Sequence, residues 1–313
     1  MPLRIVLLGT GEFALPAFQM VIESEHHVAA VYTQPERTGR GHHRHVNKVK
    51  VLAEQYGIRV RQPVRVNQQD VLHNLSAFAA DLFLVAAYGQ ILKPELLAIP
   101  RLGAFNLHGS LLPRHRGAAP VQYAIRKGDK ETGVTVFQIE PALDSGPIVG
   151  QVTTPISAKD TSRKLMHRLA DMSGPLMLDV VSQLEAGTAV FQTQDESLVT
   201  LAPKIGKDEG HTDWTRSASE IDCHVRAMNP WPKANTTLSW GETKLRCILM
   251  DVEPVTAPTS SEPGTVLESG KRLLIATGSG ALRIHRIQPD GKQAMDAVAF
   301  VNGYRVNVGL RFG

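Results

Sequence analysis

Cysteine is nearly absent: Cys223 and Cys247 are the only two in 313 residues. That is too few for a disulfide framework, and a reducing compartment is the simpler context. No window of about 18 apolar residues occurs, and no basic segment leads an apolar stretch at the N-terminus, so neither a membrane span nor a secretory leader is expected. Charge of one sign is not in excess either. With 34 basic and 30 acidic residues the net charge is +4, which excludes a protein that coats nucleic acid indiscriminately and restricts any such contact to a local patch. Internal repeats and coiled-coil heptads are lacking. The expectation is a cytoplasmic enzyme or binding protein with no membrane contact.

What is present is an ordinary apolar fraction of 42% and a length that suggests two domains at roughly 150 residues each. Short apolar runs alternate with helical patterns in the first part. Strands are expected at Leu3–Leu8, Val28–Thr33, Ile58–Val60, Asp81–Ala87, Leu102–Leu107, Gly133–Ile139 and Val149–Thr154. Helices are expected near Phe13–Glu23, Val46–Tyr56, Gln68–Phe78, Lys93–Ile99, Ala119–Lys127 and Asp160–Ala186, the last with a break at Gly174-Pro175. This alternation implies an α/β domain with a doubly wound, mostly parallel, Rossmann-like sheet over residues 1–189.

The character of the chain changes after residue 207, where all three tryptophans and both cysteines lie. A linker over 190–207 and a second domain over 208–313 follow. One helix is expected there, Ser219–Met228, capped by Ser217 or Ser219 and ended by Asn229-Pro-Trp-Pro. Five short strands separated by glycine turns complete a small β-barrel or sandwich, with Pro254–Pro263 as an exposed loop.

Gly9, Gly11 and Ala14 fit the loose dinucleotide fingerprint, but Tyr32 and Thr33 stand where the ribose-binding acid belongs, and Glu36 comes late, after Pro35. A glycine turn needed for packing is the preferred reading. Gln34–Lys50 is the densest positive segment, with Arg37, Arg40, Arg44, Lys48 and Lys50 against the single acid Glu36. It reads either as a solvated loop or as an arm whose arginines fork onto phosphates. His42, His43 and His45 are not accompanied by Asp or Cys, and a loop this basic repels cations, so no metal is expected.

The richest chemistry lies in Phe105–Pro120, FNLHGSLLPRHRGAAP. Asn106 and His108 are two apart on a strand and leave the same face. Gly109, Pro113 and Gly117 turn the chain at the strand's carboxyl end, where open α/β sheets bind ligands. Tyr88, Gly89 and Gln90, after the Asp81–Ala87 strand, are expected to wall the same edge. Asp144, in Leu143-Asp-Ser-Gly146, ends a later strand and is expected to converge there. Each of the three has a plain structural alternative as a loop tie, a buried hydrogen-bonder or a turn cap. Ser110 lies outside a G-x-S-x-G elbow, so covalent acyl-enzyme chemistry is disfavoured. The trio instead suits direct attack of an external nucleophile on a carbonyl, with an amide and an imidazolium facing the oxyanion and a carboxylate holding the imidazole.

Asn106-Leu-His108, Ser110-Leu-Leu-Pro113, Arg116-Gly117, Ala119-Pro120 and Leu143-Asp-Ser-Gly146 together resemble the signature of formyltransferases that use 10-formyltetrahydrofolate. The resemblance implies that Asn106, His108 and Asp144 are catalytic and that Ser110, Leu111, Leu112 and Pro113 belong to the folate site. Thr33-Gln-Pro-Glu-Arg37 with Gly39-Arg-Gly41, Glu131–Thr135 and Asn229-Pro-Trp-Pro232 resemble the branch acting on methionyl initiator tRNA. For that branch the basic loop, with Arg37, Arg40, Arg44 and Lys48, contacts the acceptor stem, the C-terminal domain is an OB-like barrel that supports the tRNA, and the enzyme is a monomer. Two departures stand out: Gly9-Thr-Gly11 replaces the usual Gly-Thr-Pro, and Arg37-Thr-Gly39 replaces a common Arg-Pro-Ala-Gly. The competing readings are a formyltransferase acting on an amino sugar nucleotide and, ranked last, a nucleotide-binding regulatory protein.

Overall fold

The computed structural model describes residues 1–36, 46–256 and 260–313. Two compact units emerge: one of residues 1–120, 131–155 and 166–203, the other of residues 121–130, 156–165 and 204–313.

The first unit is built on strands β1 (Arg4–Gly9), β2 (His27–Tyr32), β3 (Val60–Arg61), β4 (Leu82–Ala86), β5 (Ala104–His108), β6 (Glu131–Gln138) and β7 (Ile148–Pro155). Their spatial order is β3-β2-β1-β4-β5-β6-β7. Strands β1 to β5 pair in parallel, whereas β5–β6 and β6–β7 are antiparallel. All five residues of β4 are buried, as are Ile5 to Gly9 of β1, which is why both read as unbroken apolar runs. Strand order reverses between β1 and β4, so the crevice at their carboxyl ends is the switch point of the sheet.

The helices up to residue 186 are α1 (Leu15–Glu23), α2 (Lys48–Gln55), α3 (Gln69–Ser76), α4 (Pro94–Leu97), α5 (Pro120–Arg126) and α6 (Ser162–Ala186), of which α5 from Val121 and the start of α6 belong to the second unit. Helix α1 is entered through a 3₁₀ turn, Glu12–Ala14. Gly9 is a packing glycine: a Cβ there would stand 2.5 Å from the Phe18 ring and 2.8 Å from the Ala86 carbonyl. The preferred packing reading of this turn therefore holds. Helix α6, in contrast, does not break at Gly174-Pro175. Leu169, Met177, Val180, Val181 and Leu184 form one buried stripe across the proline. Ser173 Oγ donates to Ala170 O at 2.6 Å within that turn.

The second unit holds α7 (Ala218–Ala227), β8 (Asn235–Trp240), β9 (Thr243–Val255), β10 (Val266–Glu268), β11 (Leu273–Ala276), β12 (Ala281–Pro289), β13 (Met295–Asp296), α8 (Ala297–Tyr304) and β14 (Arg311–Phe312). The sheet order is β10-β11-β12-β9-β8-β14, with β13 beside β12. A Thr265–Arg311 bridge joins the two ends, giving the nearly closed OB-like barrel. Two expectations are corrected. Strand β9 runs on to Val255, into the stretch expected as an exposed loop, because it pairs with β12 as far as Ala281. A second helix, α8, exists although Ser219–Met228 was the one helix expected here; its sequence AVAFVNGY has no polar face, and its cap comes from Asp296, which accepts from Ala299 N at 2.8 Å.

Helix α7 begins in a full capping box. Ser217 Oγ accepts from Glu220 N, and Glu220 Oε2 accepts from Ser217 N at 3.0 Å. Ser217→Ala is expected to destabilise this unit by about 1 kcal/mol. Denaturant unfolding followed by tryptophan fluorescence checks this, since all three tryptophans lie in this unit.

Candidate active site

Strand β5 presents Asn106 and His108 on one face, as the alternation requires. The Asn106 side chain is half-buried, and its amide has no protein hydrogen-bond partner among the described residues. His108 is buried and its ring is fixed: Nε2 donates to the His115 carbonyl at 2.9 Å. A carbonyl only accepts, so the proton sits on Nε2, and Nδ1 is the nitrogen left facing the site.

Asp144 Oδ2 stands 3.8 Å from that Nδ1. Its approach differs from expectation. Strand β6 is antiparallel to β5, with Gln138 opposite Phe105 and Ile139 N donating to Ala104 O. The end of β6 therefore lies at the amino end of β5, and the 139–147 loop has to reach back along the strand. Asp144 meets His108 from the opposite sheet edge. Gly146 makes the tight return possible, since a Cβ there would be 1.8 Å from Gln138 O. Asp144 also carries a structural duty, because Oδ2 accepts from Gly117 N at 2.7 Å. Its φ of 46° places it, like His115 at 61° and Ala87 at 48°, in the left-handed region that costs a non-glycine residue energy.

Burial pushes the His108 imidazole below its ordinary value near 6.5, against the upward pull of the Asp144 carboxylate and the His115 carbonyl. Burial therefore favours the neutral ring at rest.

The loop after β5 is held by Ser110 itself and by Thr135 and Gln151, the last of which sequence reasoning passed over. Ser110, fully buried, donates through Oγ to Arg114 O at 2.6 Å. Thr135 on β6 donates to Ser110 O at 2.7 Å and accepts from Leu112 N at 3.2 Å. Its cross-strand partner Gln151 on β7 donates to Leu112 O at 3.0 Å. Ser110 is spent on its own loop, consistent with chemistry that lacks an enzyme nucleophile. Leu112 is buried, and Leu111 and Pro113 are half-buried.

Of the expected wall residues, Tyr88 has its ring in the core, and it is the Tyr88 carbonyl that receives Gln34 Nε2 at 3.1 Å. Gly89 takes a left-handed φ of 78°. Gln90 is committed elsewhere, accepting from Val66 N at 2.8 Å. The expected contacts Arg37, Arg40 and Arg44, with the three loop histidines, lie outside the described residues. Lys48 is described: it opens α2, with Nζ 2.7 Å from Glu12 Oε1. Both ends of the basic segment are anchored. Asn47 Nδ2 donates to Thr33 Oγ1 at 2.8 Å and to Gln34 O at 3.0 Å, while Gln34 N donates to Thr10 Oγ1 at 3.1 Å. Among the described residues no group of three or more His, Cys, Asp or Glu side chains is placed to hold a metal ion, and no helix is long and apolar enough to cross a membrane.

An amide with no partner among the described residues, a fixed imidazole and a carboxylate around one strand can polarise a carbonyl and move a proton. The family described as formyl transferase matches residues 3–181, and formyl transferase, C-terminal domain, matches residues 204–305. A methionyl-tRNA formyltransferase from Pseudomonas syringae pv. tomato is 44% identical over 306 residues, covering 97% of this chain and 96% of that protein. One from Methylococcus capsulatus is 43% identical over 312 residues, covering 99% and 100%.

The chain belongs to the methionyl-tRNA formyltransferase family.

Members of this family are transferases that draw on formyl-tetrahydrofolate. Solved structures share the fold at much lower identity. An N-formyltransferase from Helicobacter canadensis, in complex with folinic acid and dTDP-3-aminofucose, gives a TM-score of 0.65 at 17% identity, over 91% of this chain and 99% of that one. HypX from Aquifex aeolicus, in complex with tetrahydrofolic acid, gives 0.63 at 16%, over 98% of this chain but 48% of HypX.

Within the family's fold, Arg116, Gln194 and Thr200 also shape the site. Arg116 Nε and Nη2 donate to Gln194 Oε1, and Gln194 Nε2 donates to the carbonyls of Asp144 and Gly146. Arg116 carried a signal, being an arginine directly before a glycine in a loop of motif residues. Gln194 carried none: it is about 50 residues from Asp144, in a stretch that reads as linker.

Proposed function

We propose that this chain transfers the formyl group of 10-formyltetrahydrofolate to the α-amino group of methionyl initiator tRNA. The observation that carries the chemistry is the Asn106 amide, which has no hydrogen-bond partner among the described residues, on the face it shares with the His108–Asp144 pair. An amide left open beside a buried acid–base pair fits a substrate carbonyl oxygen better than a structural role. The folate co-substrate supplies the formyl group, and Ser110 to Pro113 are assigned to its site with Tyr88, Gly89 and Gln90 as the neighbouring wall.

Asn106 donates to the formyl oxygen as negative charge develops there. His108 Nδ1, unprotonated at rest, accepts the proton that the attacking amine loses, and becomes the imidazolium that faces the oxyanion. Asp144 stabilises that imidazolium. His108 then returns the same proton to the departing folate nitrogen, so the amine proton ends on tetrahydrofolate and the site is restored.

Acceptor choice is assigned to the basic segment, with Arg37, Arg40, Arg44 and Lys48 on acceptor-stem phosphates, and to residues 208–313 as the part that supports the tRNA. Residues 1–189 are the catalytic part, acting as a monomer in the cytoplasm. The test offers one folate donor to two acceptors, charged initiator tRNA and an amino sugar nucleotide. Formylmethionine on the tRNA, with an apparent affinity that falls as salt rises, is expected; absence of tRNA product, or formylation of the sugar alone, overturns the assignment.

A further inference from the structure

The segment after α6 does more than connect. Asp144 is gripped at two points, its carboxylate by Gly117 N and its own carbonyl by Gln194. Both grips run through Arg116. Its side chain holds Gln194, with Nε at 3.1 Å and Nη2 at 2.8 Å from Oε1. Its backbone is laced to the same segment, since Arg116 N donates to Thr200 O at 2.9 Å and Ala202 N donates to Arg116 O at 2.7 Å. Gly117, which binds the carboxylate, is the next residue.

The arginine is buried at 6% exposure. Its guanidinium is completed by Glu196, whose two oxygens lie 2.7 Å from Nη2 and 3.2 Å from Nη1. Guanidinium can only donate, so the Gln194 oxygen has to face Arg116. The amide nitrogen is thereby forced toward the carbonyls of Asp144 and Gly146, both at 2.8 Å. Only an amide of this length satisfies both sides, because a carboxylate has no hydrogens for the carbonyls.

We infer that Gln194, locked by Arg116 and Glu196, is a positioning residue that sets how closely the Asp144 carboxylate stands to His108. Asp144 occupies a left-handed conformation, φ 46°, and holding such a residue in place requires external hydrogen bonds. Loss of the Gln194 donors lets residues 144–146 relax, and the carboxylate withdraws from Nδ1. The titratable groups acting on His108 are Asp144 and His115, and Gln194 reaches only the former. The inference rests on the proposed role of Asp144, yet its signature is separable from turnover.

The test compares Gln194→Glu, which keeps size and the Arg116 pairing but removes the donors, with Gln194→Met, which removes both. The His108 ring titration is followed by NMR, together with formyl transfer. Expected are a clearly lower His108 titration midpoint in Gln194→Met, a smaller decrease in Gln194→Glu, whose added carboxylate pulls the midpoint back up, and a fall in kcat of about 10- to 100-fold in both, KM for either substrate changing less than about 3-fold. Arg116→Lys should give a smaller shift of the same sign. An unchanged His108 midpoint in folded Gln194→Met overturns the inference, even if activity falls. If the wild-type chain is inactive with tRNA while Gln194→Met still lowers the His108 midpoint, the proposed acceptor falls and the positioning role stands.

Discussion

Asn106→Ala is expected to lower kcat for formyl transfer by about 10²- to 10³-fold, the usual cost of losing one oxyanion donor, with the unfolding midpoint nearly unchanged. Stability is spared because the Asn106 side chain makes no hydrogen bond to the described residues. Its strand is held by others: Val85, opposite Asn106 on β4, and Phe137, opposite it on β6, pair through the backbone, and Phe105 next to it is fully buried. KM for the folate should move far less than kcat, since the amide's bond strengthens only as charge builds on the oxygen. A variant with ordinary turnover, or one that loses stability in step with activity, contradicts the role given to this amide.

Asp144→Asn is expected to cost about 10²- to 10⁴-fold in kcat, the range over which positioned acid–base groups act, and to move the pH profile. The sign follows from the forces on His108. Burial lowers its pKa and the Asp144 charge raises it; removing that charge lets burial act with less opposition, and the pKa falls further. Activity that needs neutral His108 is lost as pH drops through that value, so the acid limb moves to lower pH in the variant. The acceptor amine titrates alike in both proteins, and the difference between the two profiles isolates the imidazole. A limb that stays in place, or moves toward alkaline pH, refutes this account. The substitution also leaves an amide facing Gly117 N, where the carboxylate now accepts at 2.7 Å. The Asn oxygen can keep that bond, which makes Asn the variant that probes charge with least disturbance of the loop.

Both predictions concern residues visible in the primary structure, and the reason is local. Strands β1, β4 and β5 declare themselves as short apolar runs, because a strand buried on both faces needs nothing from its partners to be recognised. Asn106 and His108 stand out as polar residues spaced by two at the end of such a run, followed by glycines and proline that stop it. Helix α7 is legible through its capping serine and the Asn229-Pro-Trp-Pro that ends it, both local signals. Helix α8 is not, because eight mostly apolar residues without periodicity depend on the barrel around them to choose helix over strand.

What the chain alone determined was the inventory: a doubly wound first part, a β-rich second part, and an amide, an imidazole and a carboxylate without a nucleophile. Those properties follow from hydrogen-bonding capacity, side-chain spacing and hydrophobic period, all of which act over a few residues. Only the tertiary structure decided how the inventory is assembled. Asp144 comes from the opposite edge because the direction of β6 is a matter of strand pairing, and no local pattern encodes it. The His108 pKa is lowered because burial, a property of the whole unit, outweighs the carboxylate beside it. Gln194 serves the site from a stretch that looked like a linker, because a hydrogen bond depends on distance in space and is indifferent to the 50 residues between its partners.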